Sequence, residues 1–174
     1  MSNRRAAAVL AAVVLAALAV AAYALYPALS LAVVGPPSDY ERTTVTAYDD
    51  GGERLGSVEV RVADDRVKRY AGLSYTENLS ADEGMWFVHD DTASRTFVMR
   101  GMSFDIDIVF VGANGTVTAI HHAEAPAEGV DGDTLRYGGT GRYVLELPAE
   151  WTTRHGVEVG DCLDAAGYET TCAR

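Results

Sequence analysis

The chain has 174 residues, a formal net charge of −11 and a pI near 4.6. This length suits one folded domain with an appendage, and so strong an acidic excess argues against nucleic acid as a partner and favours cations. Lys68 is the only lysine. An acidic, lysine-poor surface is typical of proteins that work at molar salt, where the Debye length is only about 3 Å. The alternative explanation for this composition is an acidic protein from an ordinary organism with a GC-rich genome.

The N-terminal segment is the clearest signal in the chain. Residues 6–34 carry no charge, and a helix needs about 20 apolar residues to cross a bilayer. Arg4 and Arg5 precede this segment, and the first charges after it are acidic. The positive-inside rule therefore predicts a single-pass membrane anchor over residues 6–34, with residues 1–5 in the cytoplasm and residues 36–174 outside. A cleaved signal peptide and a secreted chain are the alternative, although the usual apolar region of such peptides has about 7–15 residues.

A linker and a β-hairpin are predicted next. Glycine and two prolines open the linker, residues 35–42, and the outer domain is expected over residues 43–174. Residues 43–48 are rich in β-branched side chains, and residues 54–62 alternate between apolar and polar ones. The Asp-Asp-Gly-Gly sequence between them predicts the hairpin turn.

The stretch after this hairpin predicts a short helix and an internal strand. Residues 66–71 follow an aspartate suited to cap a helix, and Gly72 is placed to end it. Residues 85–88 are apolar on both faces, which is typical of a strand inside a sheet. Residues 89–92 are expected to form a turn.

The central stretch, residues 95–111, is predicted to form two strands joined by a turn at residues 100–102. Its second strand, residues 106–111, is apolar on both faces toward its end. Asn114-Gly115 predicts a hairpin from this strand to a neighbour at residues 116–121.

The C-terminal third predicts one long loop and two further strands. Residues 123–141 are dense in glycine, alanine and acids and are expected to be a loop. Residues 142–147 alternate as a strand, a short helix follows Pro148, and residues 157–163 are predicted to be a strand. Together these elements predict a mainly β fold, a compact antiparallel barrel-like domain with one or two short helices behind the transmembrane helix.

Several motifs in this order resemble the uncharacterised family called domain of unknown function 192. They are RYAGL at 69–73, EGMWF at 83–87, TFVMR at 96–100, IDI at 106–108, YVLEL at 143–147 and HGVEVGD at 155–161. The resemblance covers about residues 57–163. It implies a compact, barrel-like β-rich domain, often behind a signal or anchor segment, and no established activity. The chain departs from the family where Asp105 stands in place of a common proline, and where Gly101-Met102 replaces a common Asn-Thr.

Asp107 is the leading candidate for a functional or structural acid. It lies in an apolar strand, and an unpaired buried carboxylate is very costly. An ion pair with Arg100, or with Arg95 or Arg142, is the predicted solution. We expect Asp107 to be an ion-pair partner first and a ligand contact second, in a pocket whose predicted ligand-binding residues are Met99, Arg100, Asp107 and Glu146.

A hydrolase is the alternative function. Asp105 and Asp107 lie on one face of a strand, about 6.6 Å apart by the strand rise, and could act with a histidine such as His121. The sequence contains no nucleophile elbow, phosphate-binding loop or dinucleotide fingerprint. We therefore predict no catalytic residue, metal or cofactor. The preferred function is a membrane-anchored extracytoplasmic module that binds a small molecule or a cell-envelope partner.

The two cysteines and two sequons complete the predictions. Cys162 and Cys172 are the only cysteines, and in an oxidising compartment an even count predicts a disulfide. Asn78 and Asn114 each begin an Asn-x-Ser/Thr sequon, so both are possible glycosylation sites, although Asn114 is also explained by its turn.

Overall fold

The computed structural model describes residues 2–170 and 172, with side chains described from residue 6 onward. The fold is mainly β, as predicted: seven strands form one sheet that curls into a half-barrel, accompanied by one long and two short helices. The strands are β1 (Arg42–Tyr48), β2 (Arg54–Ala63), β3 (Glu83–Val98), β4 (Ile106–Val111), β5 (Val117–Ala123), β6 (Arg136–Pro148) and β7 (Cys162–Ala165).

The N-terminal helix, α1 (Ser2–Val34), is long and apolar enough over Ala6–Val34 to cross a membrane. A signal sequence would satisfy the same test of length and composition. The helix touches the β domain through its second half, where the Arg66 guanidinium donates to the Tyr23 carbonyl at 3.1 Å and lies 3.6 Å from the centre of the Tyr23 ring.

The sheet runs in the order β5-β4-β6-β3-β2-β1-β7. Five of its six neighbouring pairs are antiparallel, and the pair β2–β3 is parallel. The second helix, α2 (Arg66–Ala71), lies in the connection between these two parallel strands. This crossover is what a parallel pair requires, because a tight hairpin can only join antiparallel strands.

Both predicted hairpins are present, but the central pair of strands is not a hairpin. β1 pairs with β2, and β4 pairs with β5 through the turn at Asn114 and Gly115. β6 lies between β3 and β4, so the turn at residues 100–102 leads across the sheet instead of back along β3. The predicted ion pair between Arg100 and Asp107 required the two central strands to be neighbours, and β6 separates them.

Three further predictions are corrected. Residues 89–92 belong to β3 and do not interrupt it, although the register with β6 shifts between Val88 and Ala93. The predicted loop at 123–141 contains a 3-10 turn at Gly132–Thr134 and the first half of β6. In the predicted strand 157–163 only the last two residues belong to β7, because the preceding residues turn at Gly156 and Gly160, which have φ values of 68° and 106°.

Glycine explains why the first half of β6 is a strand. A Cβ at Gly139 would lie 2.3 Å from Phe110 Cγ, so only glycine allows the backbone to approach this ring. The same glycines that suggested a loop therefore let β6 pair with the outer half of β3.

Each face of the sheet carries its own apolar core. The first face holds Trp86, Val109, Tyr143, Leu145 and Leu147 and is covered by the third helix, α3 (Trp151–His155). The second face holds Met85, Phe87, Ile108, Phe110 and Val144, together with Met99 and Met102 from the connection after β3. Cys162 and Cys172 are joined in a disulfide with a Cα–Cα distance of 5.6 Å.

Candidate ligand-binding site

A cavity of about 370 Å³ lies on the second face of the sheet, between α2 with its following turn and the strand β3. Its walls come mainly from residues 69–74 and 94–98, with Phe87, His89 and Glu146 contributed by β3 and β6. A volume in this range is typical of pockets that enclose small molecules.

The local sequence holds α2 against β3. The Asp65 carboxylate accepts hydrogen bonds from the amides of Val67 and Lys68, each at 2.8 Å, and Gly72 ends the helix with φ 50°. Arg69 then donates to the carbonyls of Asp64 at 2.7 Å and Val88 at 2.8 Å. These bonds fix the helix at the edge of the cavity without closing the space.

The apolar part of the wall is aromatic. Phe87 and Phe97 meet edge to face, with ring centres 4.8 Å apart, and Phe97 makes a similar contact with Phe110 at 5.8 Å. Leu73 and Met102 add aliphatic surface. The cavity therefore offers a rigid apolar surface to a ligand.

Three arginines contribute to the lining: Arg69, Arg95 and Arg100. Arg95 is held by the Gly141 carbonyl at 3.1 Å and by Asp91, whose carboxylate lies 2.8 Å away. Arg100 donates from Nε to Asp133 at 2.9 Å, and its guanidinium lies 4.2 Å from the centre of the Tyr70 ring. Each cation is thus positioned by the protein while remaining at the cavity.

Glu146 is the most deeply buried polar residue of the lining, with 5% of its surface exposed. Its Oε2 has no hydrogen-bond partner among the described residues. Burial raises the pKa of Glu146 to about 8, against the opposing attraction of Arg61. The side chain is therefore mostly a neutral carboxylic acid at pH 7, with an O–H to donate.

His89 is the second residue of the cavity lining with a buried polar atom that has no partner among the described residues. Its Nε2 is buried and makes no hydrogen bond to any described residue. Burial, and then the charges of Arg95 and Arg69, lower the pKa of His89 to about 4. The ring is therefore neutral at pH 7, and the cavity wall holds two uncharged polar groups that a ligand or water can satisfy.

The structure separates the four predicted ligand residues into two groups. Arg100 and Glu146 line the cavity. Met99 is buried in the second core and Asp107 lies at the first face, so neither lines this cavity. Sequence reasoning missed Arg69, His89 and Arg95. Arg69 lay in a motif that had been singled out, Arg95 had been named only as an ion-pair candidate for Asp107, and no local pattern marked His89.

The Asp107 side chain is fully buried, and no arginine in the described part of the chain is its partner. Its Oδ1 lies 2.8 Å from Nδ1 of His122 and 3.1 Å from the Glu150 amide, which donates to it. Its Oδ2 accepts from the amide and the hydroxyl of Thr152 at 2.8 and 2.6 Å. Asp107 therefore caps the N-terminus of α3 from the neighbouring strand, because Glu150 provides no side-chain cap. The predicted ion pair with Arg100, or with Arg95 or Arg142, is therefore not formed, and this cap and the contact with His122 take its place.

The residues of the hydrolase alternative do not converge. The Asp105 carboxylate accepts from the Ala125 amide at 2.7 Å, whereas that of Asp107 is occupied at α3. His121 is paired opposite Ile108 on the second face, where its Nε2 lies 2.9 Å from the Gly138 carbonyl oxygen. Among residues 2–170 and 172, no group of three His, Cys, Asp or Glu side chains is arranged to hold a metal ion.

The fold and the cavity define a β half-barrel domain with a partly polar, arginine-lined pocket. Residues 47–165 match the family DUF192, described as an uncharacterized ACR, and the chain belongs to this family. No curated protein matches the chain.

Two solved structures are similar over most of the domain. A Sinorhizobium meliloti 1021 protein, named a "putative transcription regulator", is 28% identical with a TM-score of 0.67, over 75% of this chain and 98% of its own. A Novosphingobium aromaticivorans DSM 12444 protein of unknown function is 27% identical with a TM-score of 0.62, over 74% of this chain and 89% of its own. These relatives share the fold, and neither name supplies a ligand.

Proposed function

We propose that this protein is a membrane-anchored, extracytoplasmic module that binds a small molecule in the cavity between α2 and β3. The observation that carries the proposal is the buried Oε2 of Glu146, which has no hydrogen-bond partner among the described residues and lies in the cavity wall. A buried polar group without a hydrogen bond costs about 1–3 kcal/mol. A ligand that satisfies Glu146 and His89, which both line the cavity, would recover this cost.

Arg100 and Glu146 are the predicted ligand residues that remain in this proposal, joined by Arg69, His89 and Arg95. A transcription-regulator role, which the name of the Sinorhizobium protein would suggest, has less support here. The net charge of −11 opposes the phosphate contacts that dominate binding to nucleic acid.

The charges that flank α1 support a β domain on the extracytoplasmic side of the membrane. Arg4 and Arg5 stand on one side of the apolar segment and acidic residues follow it. A disulfide and exposed sequon asparagines, Asn78 and Asn114, suit an oxidising outer compartment. Fractionation tests this topology: the full-length chain should stay in the membrane pellet after a high-salt wash. A mature chain beginning near residues 23–25 and recovered from the medium would instead establish secretion.

A thermal-shift screen of the full-length chain against a library of small metabolites, at high salt, tests ligand binding. Ser74 is half-buried and lines the cavity, so Ser74→Trp should obstruct it and abolish the shifts. Thr92 is exposed on β3 and does not line the cavity, so Thr92→Trp is the control. A library without any hit, or hits that Ser74→Trp leaves unchanged, would reject the proposal.

A further inference from the structure

The charge at the cavity is opposite to that of the chain. The protein has 25 acidic and 14 basic residues, yet the lining contains three arginines and one acid, Glu146. That acid is mostly neutral at pH 7, as is His89. Arg95 and Arg100 are each paired with an aspartate beside the cavity, Asp91 and Asp133, whereas Arg69 forms no ion pair among the described residues. The cavity therefore keeps a local excess of positive charge in a strongly acidic protein, and it favours an anion.

The arginines retain donors for such an anion. A guanidinium carries five N–H groups in a planar fork. Among the described residues, Arg100 uses only Nε, toward Asp133, and Arg69 donates only from one terminal nitrogen. Arg95 donates from Nε to Gly141 and from one terminal nitrogen to Asp91, which leaves its other terminal nitrogen. Their remaining N–H groups are available for the bidentate contacts that arginine makes with carboxylates and phosphates.

The polar groups of the cavity differ in depth. The Arg100 side chain is 34% exposed and the residue Tyr70 is 40% exposed, so both lie near the mouth. Glu146 is almost fully buried at the inner side. The rings of Phe87 and Phe97 also line the cavity. This arrangement offers charge at the entrance and an apolar wall with neutral polar groups inside.

The mouth also borders the N-terminal helix. A second cavity of about 210 Å³ is lined by Ala28, Leu31 and Ala32 of α1 and by residues that include Tyr70, Ser74 and Arg100. The last three residues also line the first cavity. If α1 crosses the membrane, its last turns and this entrance lie at the outer bilayer surface.

We infer that the cavity binds a small organic anion with an apolar body, whose anionic group contacts the arginines of the lining and whose body lies against Phe87 and Phe97. This inference rests on the proposed function, since it names the chemical class of the ligand for the same cavity. Such a ligand could be a water-soluble carboxylate or a single-chain anionic amphiphile from the bilayer, and both present the same chemistry to the arginines.

Calorimetry with three probes of equal shape tests the inference: 3-phenylpropionate, 3-phenyl-1-propanol and 3-phenylpropylamine. The full-length chain is used in nanodiscs of neutral phosphatidylcholine, with empty nanodiscs as the blank. The acid should bind about tenfold or more tightly than the alcohol, and the amine most weakly, since hydrogen bonds to charged groups are the stronger ones. Raising salt from about 0.1 M to about 1 M should weaken binding of the acid.

Arginine variants locate the charge contact. Arg95→Gln and Arg100→Gln should each lower affinity for the acid several-fold and leave affinity for the alcohol unchanged, which also shows that the variants are folded. Arg54→Gln is the control, because Arg54 is exposed on β2 and does not line the cavity. Equal loss of acid and alcohol binding in the arginine variants would contradict a specific anion contact.

The outcomes separate this inference from the proposed function. An alcohol or amine that binds as tightly as the acid would overturn the anion class while leaving a ligand-binding cavity. If none of the three probes binds but other library compounds do, the anion class is likewise overturned and the ligand-binding cavity is kept. A library without hits would reject both the anion class and the proposed function. Adding oleate to the nanodiscs distinguishes the two sources of the ligand. Displacement of bound 3-phenylpropionate by oleate supports an amphiphile from the bilayer, and 3-phenylpropionate that stays bound supports a water-soluble carboxylate.

Discussion

Replacing Glu146 by glutamine should remove a pH dependence of stability that the buried carboxyl group imposes. The pKa of Glu146 rises from 4.5 to about 8 in the folded protein because the side chain is buried. At about 1.4 kcal/mol for each pKa unit, the rise corresponds to an upper limit of about 5 kcal/mol. Glutamine keeps the shape of the side chain and cannot ionise.

The direction in which the free energy of unfolding changes with pH follows from proton binding. Between pH 4.5 and about 8 the folded state keeps the Glu146 proton and the unfolded state has lost it, so the free energy of unfolding falls as pH rises through this window. His89 acts in the opposite direction at lower pH. Its pKa is lowered from 6.5 to about 4, so its contribution is lost as pH falls through that interval. Above pH 6.5 the Glu146 effect is therefore the clearer of the two.

Denaturant unfolding of the full-length chain in detergent, followed by tryptophan fluorescence, measures this effect. The only two tryptophans, Trp86 and Trp151, are buried in the β domain, so the signal reports on that domain alone. The wild type should lose stability from about pH 6.5 to about pH 8, and Glu146→Gln should lose much less. Glu128→Gln, at an exposed loop position, should behave as the wild type. Parallel pH profiles for the wild type and Glu146→Gln would refute a raised pKa.

Three further predictions concern the stability of the fold. Asp107→Ala should cost about 3 kcal/mol or more, because it leaves two amides and a hydroxyl without an acceptor at about 1–3 kcal/mol each, and Asp107→Asn should cost less; a thermal midpoint of Asp107→Ala equal to that of the wild type would reject the cap. Gly139→Ala should destabilise by about 1–3 kcal/mol because its Cβ meets an aromatic ring, whereas Gly138→Ala, whose nearest neighbour lies 3.9 Å away, is the control; similar melting temperatures would contradict the close approach. Replacing Cys162 and Cys172 by serine should cost about 3 kcal/mol or less in denaturant titrations, and an intact mass showing two free thiols in the parent would disprove the bridge.

Local signals predicted the parts of the fold that depend on neighbours in sequence. The turn at Asn114-Gly115 and the caps of α2 by Asp65 and Gly72 are encoded within a few residues, and each was predicted close to its true position. The insertion of β6 between β3 and β4 is different, because residues about 30–60 positions apart must pair and no local pattern specifies which strands meet.

The candidate site shows the same division. The cost of burying Asp107 was evident from its apolar strand, but its partners at α3 were not, since they depend on where the helix packs. Arg95 and His89 reach the cavity because β3 continues through a predicted turn. Glu146 was singled out from its strand, whereas its unpaired oxygen became evident only from the packed structure.

Hydrogen–deuterium exchange of the full-length chain, with and without the strongest hit of the metabolite screen, tests ligand binding in the cavity most directly. Ligand binding should slow amide exchange in peptides that cover residues 69–74 and 94–100, because these segments form the cavity walls and mouth. Peptides from β5, outside the cavity, should exchange at the same rate in both samples. Protection confined to other regions, or none at a saturating ligand concentration, would contradict a binding site between α2 and β3.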